Sequence, residues 1–309
     1  MADRISPQID AEILENLGHD DVICNVSIQW DSNSRMTRMK LHLDRKKYMH
    51  RSFFVNSVQN GNCYEPDYTS IMLKVLRPGD TVIDIGANFG YFSLLASSLV
   101  TSTGRVISIE PDKENFFFLI RNIEINKMSN IKAINCAAGN LKKEIDFFLD
   151  PLNDGAHSLC GISPETIQQI GDKNTVTSKI QMDMVDSLLN SENIANIKII
   201  KVDTEGWEFH TIEGAISVIK RFSPIILAEV NRSGLRRSGA SEKYLRLLMQ
   251  ELGYSTFIAT YEKNTNKVYL ESVPQNYYAE PELEHYNYNA VFARPESLKN
   301  LSQCCYVLY

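Results

Sequence analysis

The sequence predicts a doubly wound α/β fold, a mostly parallel sheet with helices on both faces. Three observations carry that reading. Short apolar segments alternate with helix-period segments between Tyr64 and Gly253; the first strand-like segment runs into a turn bounded by Gly86 and Gly90; and the stretch after Gly253 holds strand patterns without helices. At 309 residues, 43% hydrophobic and 23% charged, the composition is that of a folded globular protein, one large domain with extensions or two modest ones.

The elements follow in order. Residues 11–17 read as a short helix, and Val22, Cys24, Val26, Ile28 and Trp30 then alternate with mostly polar neighbours, the period of a strand with one buried face. Turn residues at 31–34 precede a second alternation through Met39, Leu41 and Leu43. Residues 1–63 are therefore expected to form a helix and β-hairpin extension, packing on a main domain of residues 64–309. There, TVIDIG (81–86), RVISIE (105–110), IKAINC (131–136), IKIIKV (197–202) and PIILAEV (224–230) are strands. Between them, Phe116, Leu119, Ile120 and Ile123 mark one helix face, and Phe209, Ile212, Ile216 and Ile219 another. A further helix from about Ala240 ends at Gly253. STFIATY (255–261) and KVYLESV (267–273) flank a turn and read as a hairpin, followed by a Tyr/Glu-rich loop and a last strand at 289–294. Residues 150–175 lack periodicity and read as a loop or cover.

Charge narrows the partners. Lys+Arg 32 against Asp+Glu 38 gives a net charge of −6, the wrong sign for a phosphate backbone. No apolar run reaches the roughly 18 residues a membrane span needs. The N-terminus has no secretory pattern, and the 6 cysteines show no C-x-x-C pair and no zinc spacing. The expectation is a soluble, cytoplasmic protein without a metal.

The chemistry is concentrated in VIDIGANFGYF (82–92). Gly86 and Gly90 bound a tight strand-to-helix turn, where a Cβ would collide with a ligand and backbone N–H groups point at it. Glu110 ends the next strand, the position from which an acid reaches the hydroxyls of an adenosine ribose. The turn reads Gly86-Ala87-Asn88-Phe89-Gly90, which is not the dinucleotide G-x-G-x-x-G. Asp84, two residues ahead of Gly86, would oppose a pyrophosphate and suits a ligand with an amino group and a sulfonium. That describes S-adenosylmethionine and favours methyl transfer over hydride transfer.

These segments, with VISIEPDKENFFFLIRNIEIN, IKAINCAAGN, MDMVDSLL, IKIIKVDTEGWEFHTIEGA and PIILAEVN, resemble the FkbM-type methyltransferases from Tyr64 to Asn231. The resemblance implies S-adenosylmethionine as cofactor and a seven-stranded sheet of order 3-2-1-4-5-7-6 with the seventh strand antiparallel. It implies acceptors that are hydroxyls, or sometimes carboxylates or amides, on natural products, sugars or peptides. Carried over by position, Asp84, Gly86, Ala87, Asn88 and Gly90 would hold the methionine moiety, and Glu110 the ribose. Asn135, Cys136 and Ala137 would border the adenine, and Glu65 would close over the methionyl end.

Other residues complete the reading. Asp203 and Glu205 flank the end of the fourth strand, where open sheets bind ligands, and are expected to serve catalysis; Glu208 reads as a solvated helix residue. His157, in the 150–175 segment, is an alternative base. A cation held by Asp203, Glu229 and Asn231 is weighed and set aside, so no metal is expected. Tyr91, Phe92 and Trp207 read as core. Arg232, Arg236 and Arg237 are placed to attract an anionic acceptor, whereas the basic residues at 35–51 read as a solvated face. Tyr277, Tyr278 and Tyr286 are expected to wall the acceptor site. O-methylation is the leading activity. N-methylation, nicotinamide-dependent oxidoreduction and a silent adenosine-binding module stay open beside it.

Overall fold

A computed structural model describes residues 8–29, 36–171, 175–265, 267–274, 287–302 and 305–308. Trp30, the 31–34 turn, Tyr277, Tyr278 and Tyr286 lie outside the described residues.

The N-terminal extension is all β. Strands β1 (Gln8–Asn16), β2 (Asp21–Gln29) and β3 (Met36–Asp44) form an antiparallel sheet in that order. The helix expected over 11–17 is instead strand β1. A segment that short cannot sustain a helix by propensity alone, and β2 offers it a full ladder, from Gln8↔Gln29 to Asn16↔Val22, with a bulge between Ile13 and Glu15. Val22, Cys24, Val26 and Ile28 are fully buried, as their alternation requires, together with Leu41 and Leu43. They share one core with Leu94, Leu95 and Tyr68 of the main domain. Each such side chain contributes about 1.5–3 kcal/mol over exposure, so apolar packing fixes the extension in place. Asn122 and Asn126 add hydrogen bonds from the backbone N–H groups of His42 and Lys40.

A short helix, α1 (Tyr48–Phe53), runs into a π-helical segment (Phe54–Gln59), and α2 (Pro66–Val75) leads to the main sheet. Then come β4 (Thr81–Ile85), α3 (Tyr91–Val100), β5 (Arg105–Ile109), α4 (Lys113–Asn126) and β6 (Ile131–Ile134). Three strands outside that sheet, β7 (Ala137–Gly139), β8 (Lys143–Leu149) and β9 (Val176–Met184), pair in the order β7-β9-β8, with α5 (Pro164–Ile170) between the last two in sequence. After α6 (Val185–Leu189), the alternation resumes with β10 (Ile199–Val202), α7 (Glu208–Glu213), α8 (Ile216–Phe222), β11 (Ile225–Val230), α9 (Arg232–Arg237) and α10 (Glu242–Glu251). The chain closes with β12 (Ser255–Glu262), β13 (Lys267–Ser272), β14 (Tyr288–Ala293), α11 (Pro295–Ser302) and β15 (Tyr306–Leu308).

The main sheet has nine strands in the order β15-β13-β12-β14-β11-β10-β4-β5-β6. From β6 to β12 this is the 3-2-1-4-5-7-6 arrangement, with β14 antiparallel to both β11 and β12. The count exceeds the expected seven because β13 folds back on β12 and β15 adds to its edge. Alternate strand residues feed opposite cores: Val82 and Val106 face the N-terminal sheet, while Ile83, Ile107 and Ile200 face α7, α8 and α10. The single helix expected through Phe209 and Ile219 is broken into α7 and α8 at Gly214. A Cβ on Gly214 would lie 1.8 Å from the Gly139 carbonyl oxygen, so backbone contact with β7 dictates the break. Residues 150–160 are an ordered loop. Asp150 accepts from the N–H groups of Leu152 and Asn153, and Ser158 bridges to Phe148.

Candidate active site

The carboxyl ends of β4, β5 and β10 open on a cavity of about 360 Å³, the lower range of small-molecule sites. The glycine turn forms its floor. Gly86 has φ +76°, and an added Cβ would lie 1.7 Å from the Asp203 carbonyl oxygen; at Gly90 (φ +96°) it would lie 2.6 Å from Leu119 Cδ1. Contact with the backbone after β10 thus requires glycine at 86, and the left-handed φ favours it at both positions. Asn88 holds φ +50°, and its Oδ1 accepts from the Phe89 N–H at 2.7 Å, the local bond that lets Asn occupy this region.

At one end stands Glu110, 4% exposed. Its two carboxylate oxygens accept from the backbone N–H groups of Asn88 and Asp112, each at 2.8 Å. Burial pushes its carboxyl up to about 8 against the pull of those two donors. Asp112 in turn caps α4 by accepting from Glu114 and Asn115, worth about 1 kcal/mol. Ala137, Ala138, Phe147 and Leu159 supply apolar wall of the cavity. His157 also lines this end. Its Nδ1 accepts from the Asp150 N–H at 3.0 Å, and burial holds its pKa below the usual imidazole value.

The other end is crowded with acids. Asp203, Glu205 and Glu229 each bring a carboxylate oxygen within 4.8 Å of the others. Burial, with Asp203 and Glu208 adjacent, pushes Glu205 up to about 8. Burial and the neighbouring Glu205 raise Glu229 well above the carboxyl range. Glu65 lies at the left-handed residue that opens α2 (φ +36°); its side chain makes no cap bond and lines the cavity, where burial raises it to about 7 against the pull of Lys201. Lys201 is the counter-charge, its Nζ 2.8 Å from Asp203 Oδ2 and 4.8 Å from the centre of the Phe92 ring. Burial opposes its charge, yet Asp203, Glu65 and Asp84 together raise its pKa.

The structure thus brings Glu65, Gly86, Ala87, Asn88, Glu110, Ala137, His157, Asp203 and Glu205 to one cavity. Four expected residues do not line it. Asp84 lies behind the wall, 1% exposed, bonded through Oδ2 to Ser93 Oγ at 2.5 Å, with no hydrogen-bond partner for Oδ1 among the described residues. Gly90 packs on α4. Asn135 braces the Glu110 and Pro111 carbonyls, and Cys136 Sγ turns to the Gln181 carbonyl. His157 is at the Glu110 end, acted on by Asp112, Asp154 and Lys47, and is not gathered with Asp203 and Glu205. Asn231 caps α9 and donates to Glu205 Oε2, so Glu205 replaces it beside Asp203 and Glu229. Glu208, expected in solvent, is fully buried: α7 begins at this residue, and its Oε1 accepts from Thr204 and Gly206 to close the preceding turn. Tyr91 and Phe92 are core and cavity wall at once. Arg232 is held by Glu242 at 2.5 Å, Arg237 donates to Ser233, Arg236 is exposed, and none of the three lines the cavity. Sequence reasoning missed Lys201, whose signal was a lysine inside an apolar strand, and Phe147, on a strand it did not read.

An open parallel sheet with a glycine turn and a backbone-held acid at its carboxyl edge defines the Rossmann-like class of nucleoside-binding proteins. The family model described as "Methyltransferase FkbM domain" matches residues 84–256, more than half of the chain. The protein belongs to the FkbM methyltransferase family, whose cofactor is S-adenosylmethionine. A model for protein-L-isoaspartate(D-aspartate) O-methyltransferase matches residues 19–142. Methyltransferase 1 of Beauveria bassiana is 24% identical over 179 residues, which is 54% of this chain and 66% of that protein. A tRNA(Phe) (4-demethylwyosine(37)-C(7)) aminocarboxypropyltransferase of Pyrococcus horikoshii is 34% identical over 85 residues, 24% of this chain and 30% of the relative. Hexuronic acid methyltransferase AglP of Haloferax volcanii is 20% identical over 205 residues, 66% and 75% of the two chains. The match thus spans less than two thirds of the first two relatives. A crystal structure of an FkbM methyltransferase from Methylobacillus flagellatus is 15% identical, with 80% of this chain and 62% of that chain covered at a TM-score of 0.40. Among the described residues no helix is long and apolar enough to cross a membrane.

Proposed function

We propose that the protein methylates a hydroxyl oxygen of an uncharged, polyhydroxylated acceptor. The observation that carries this reading is the acid group of Asp203, Glu205 and Glu229, opening on the same cavity as Glu110. The cavity fits the cofactor in kind. A backbone-fixed carboxylate faces a sugar-sized space beside apolar wall, and acids gather where a sulfonium and an ammonium need partners. S-adenosylmethionine supplies an electrophilic methyl group there.

The chain's own residues do the rest. Glu110 holds the ribose hydroxyls, and Ala137, Phe147 and Leu159 cover the base. Asp203, pinned by Lys201, orients the acceptor hydroxyl. Glu205, raised to about 8, takes its proton as the oxygen attacks; a carboxyl tuned toward neutral pH suits a general base, a role worth roughly 10²–10⁴-fold. Carboxylates disfavour an anionic acceptor by like-charge repulsion, and their oxygens accept well from hydroxyls. The hexuronic acid relative is in keeping with the sugar frame of this acceptor, though not with its lack of charge.

The test is turnover with S-adenosylmethionine against a panel of sugars, hydroxylated peptides and amines, with both small products identified. The reading expects S-adenosylhomocysteine and an O-methyl group, and a Glu205→Gln rate lowered about 10²-fold. An N-methyl product would move the activity to nitrogen. Release of methylthioadenosine would instead mean aminocarboxypropyl transfer, the activity named for the Pyrococcus relative.

A further inference from the structure

Among the described residues six carboxylates line the cavity, Glu65, Glu110, Asp154, Asp203, Glu205 and Glu229, against one permanently cationic side chain, Lys201. That lysine is not a surface charge. It stands on β10 in register with Asp84 of β4, its side chain is 3% exposed, and Phe92 of α3 covers its ammonium. Of the three N–H donors on Nζ, the bond to Asp203 Oδ2 takes one, and the described residues provide no second hydrogen bond. A buried ammonium with unspent donors is costly unless something else satisfies it. The carboxylates acting most strongly on it are Asp203, Glu65 and Asp84, which places it by the glycine turn and the start of α2.

The cofactor brings a matching group. Its amino-acid head carries an ammonium, for which the cavity has acids in excess, and a carboxylate, for which it has few partners. We infer that Lys201 is the binding residue for the α-carboxylate of the cofactor, with Glu65 beside it receiving the α-ammonium. This rests on the S-adenosylmethionine reading of the cavity and adds the recognition of its amino-acid end. Asp203 then has a second task, since its bond to Nζ fixes where the remaining donors point. A carboxylate anchor at this spot holds the flexible methionyl chain at one end while Glu110 holds the nucleoside at the other, so the sulfur between them is confined.

A ligand-by-residue cycle tests this by calorimetry, with S-adenosylhomocysteine and its decarboxylated analogue as probes against the wild type and Lys201→Met. The wild type should bind S-adenosylhomocysteine about 10- to 100-fold more tightly than the analogue, the span of one charge-assisted hydrogen-bonded contact. Lys201→Met should lose that preference, weakening S-adenosylhomocysteine by the same factor while leaving the analogue within about threefold. Equal losses for both ligands would reduce Lys201 to a structural counter-charge and overturn the assignment. If Lys201→Met fails to fold, the wild-type comparison decides alone: no preference for the carboxylated ligand overturns it. Failure of the wild type to bind either probe would instead remove the cofactor reading beneath it.

Discussion

At one end of the cavity a single carboxylate, Glu110, is held by two backbone N–H groups among apolar side chains. At the other, Asp203, Glu205, Glu229 and Glu65 line the cavity with one ammonium, Lys201, bonded to Asp203. The first arrangement is complete without a ligand: its acid is positioned and hydrogen-bonded, and its shape selects. The second is electrostatically unfinished, because Asp203, Glu205 and Glu229 repel one another; late ionisation is common to both ends, since burial raises Glu110 and Glu205 alike to about 8. A site in that condition gains most from a cation, and it holds groups able to take up or release a proton near neutral pH. The division suits the methyl transfer proposed above, in which the nucleoside is only gripped and the methyl centre undergoes the change.

The largest perturbation joins both ends. Gly86 donates its N–H to the Ile109 carbonyl at 2.9 Å and lies against the Asp203 carbonyl. Gly86→Ala should cost about 4 kcal/mol or more, or prevent folding, measured by denaturant unfolding; a variant of wild-type stability would mean the turn is looser than described. Glu110→Ala comes next. It removes the carboxylate proposed to hold the ribose and orphans two N–H donors, so S-adenosylhomocysteine affinity should fall about 10- to 100-fold and stability by about 1–3 kcal/mol. An unchanged affinity would break the assignment of that end.

The smallest effect is read through pH at the acid-crowded end. The Glu205 carboxyl ionises near 4.5 in the unfolded chain and at about 8 in the folded one. Folding therefore retains its proton, and the stability this gives is full below the unfolded value and lost as pH rises through about 8. Without ligand, Tm should decline from pH 5 to pH 9, and Glu205→Gln should flatten the decline and raise Tm at pH 9 by about 2 °C, the response to about 1 kcal/mol. A steeper decline in the variant would contradict the crowding argument.

Much of this was legible in the sequence. Period-two runs marked the strands, and Gly86, Asn88, Glu110 and Asp203 announced themselves by lying at strand ends. What escaped did so for physical reasons. β1 has helix-forming residues, and only the presence of β2 decides its state. The sheet of β7, β8 and β9 depends on pairing between segments far apart in sequence, so His157 could not be assigned to the Glu110 end. Spacing also gives a residue's position along a strand and not its depth, which is why Asp84, behind the wall, and Lys201, on it, exchange the importance the sequence suggested.

The central claim is that the acid-crowded end reads positive charge at the reacting sulfur. S-adenosylmethionine and S-adenosylhomocysteine differ there by a methyl group and one charge and share everything Glu110 and Lys201 would touch. Their dissociation constants, measured on the wild type from pH 6 to pH 9, test it most directly. As Glu65 and Glu205 ionise, near 7 and 8, the affinity ratio should shift toward S-adenosylmethionine by about tenfold. A ratio constant across that range would show that these carboxylates do not face the sulfonium.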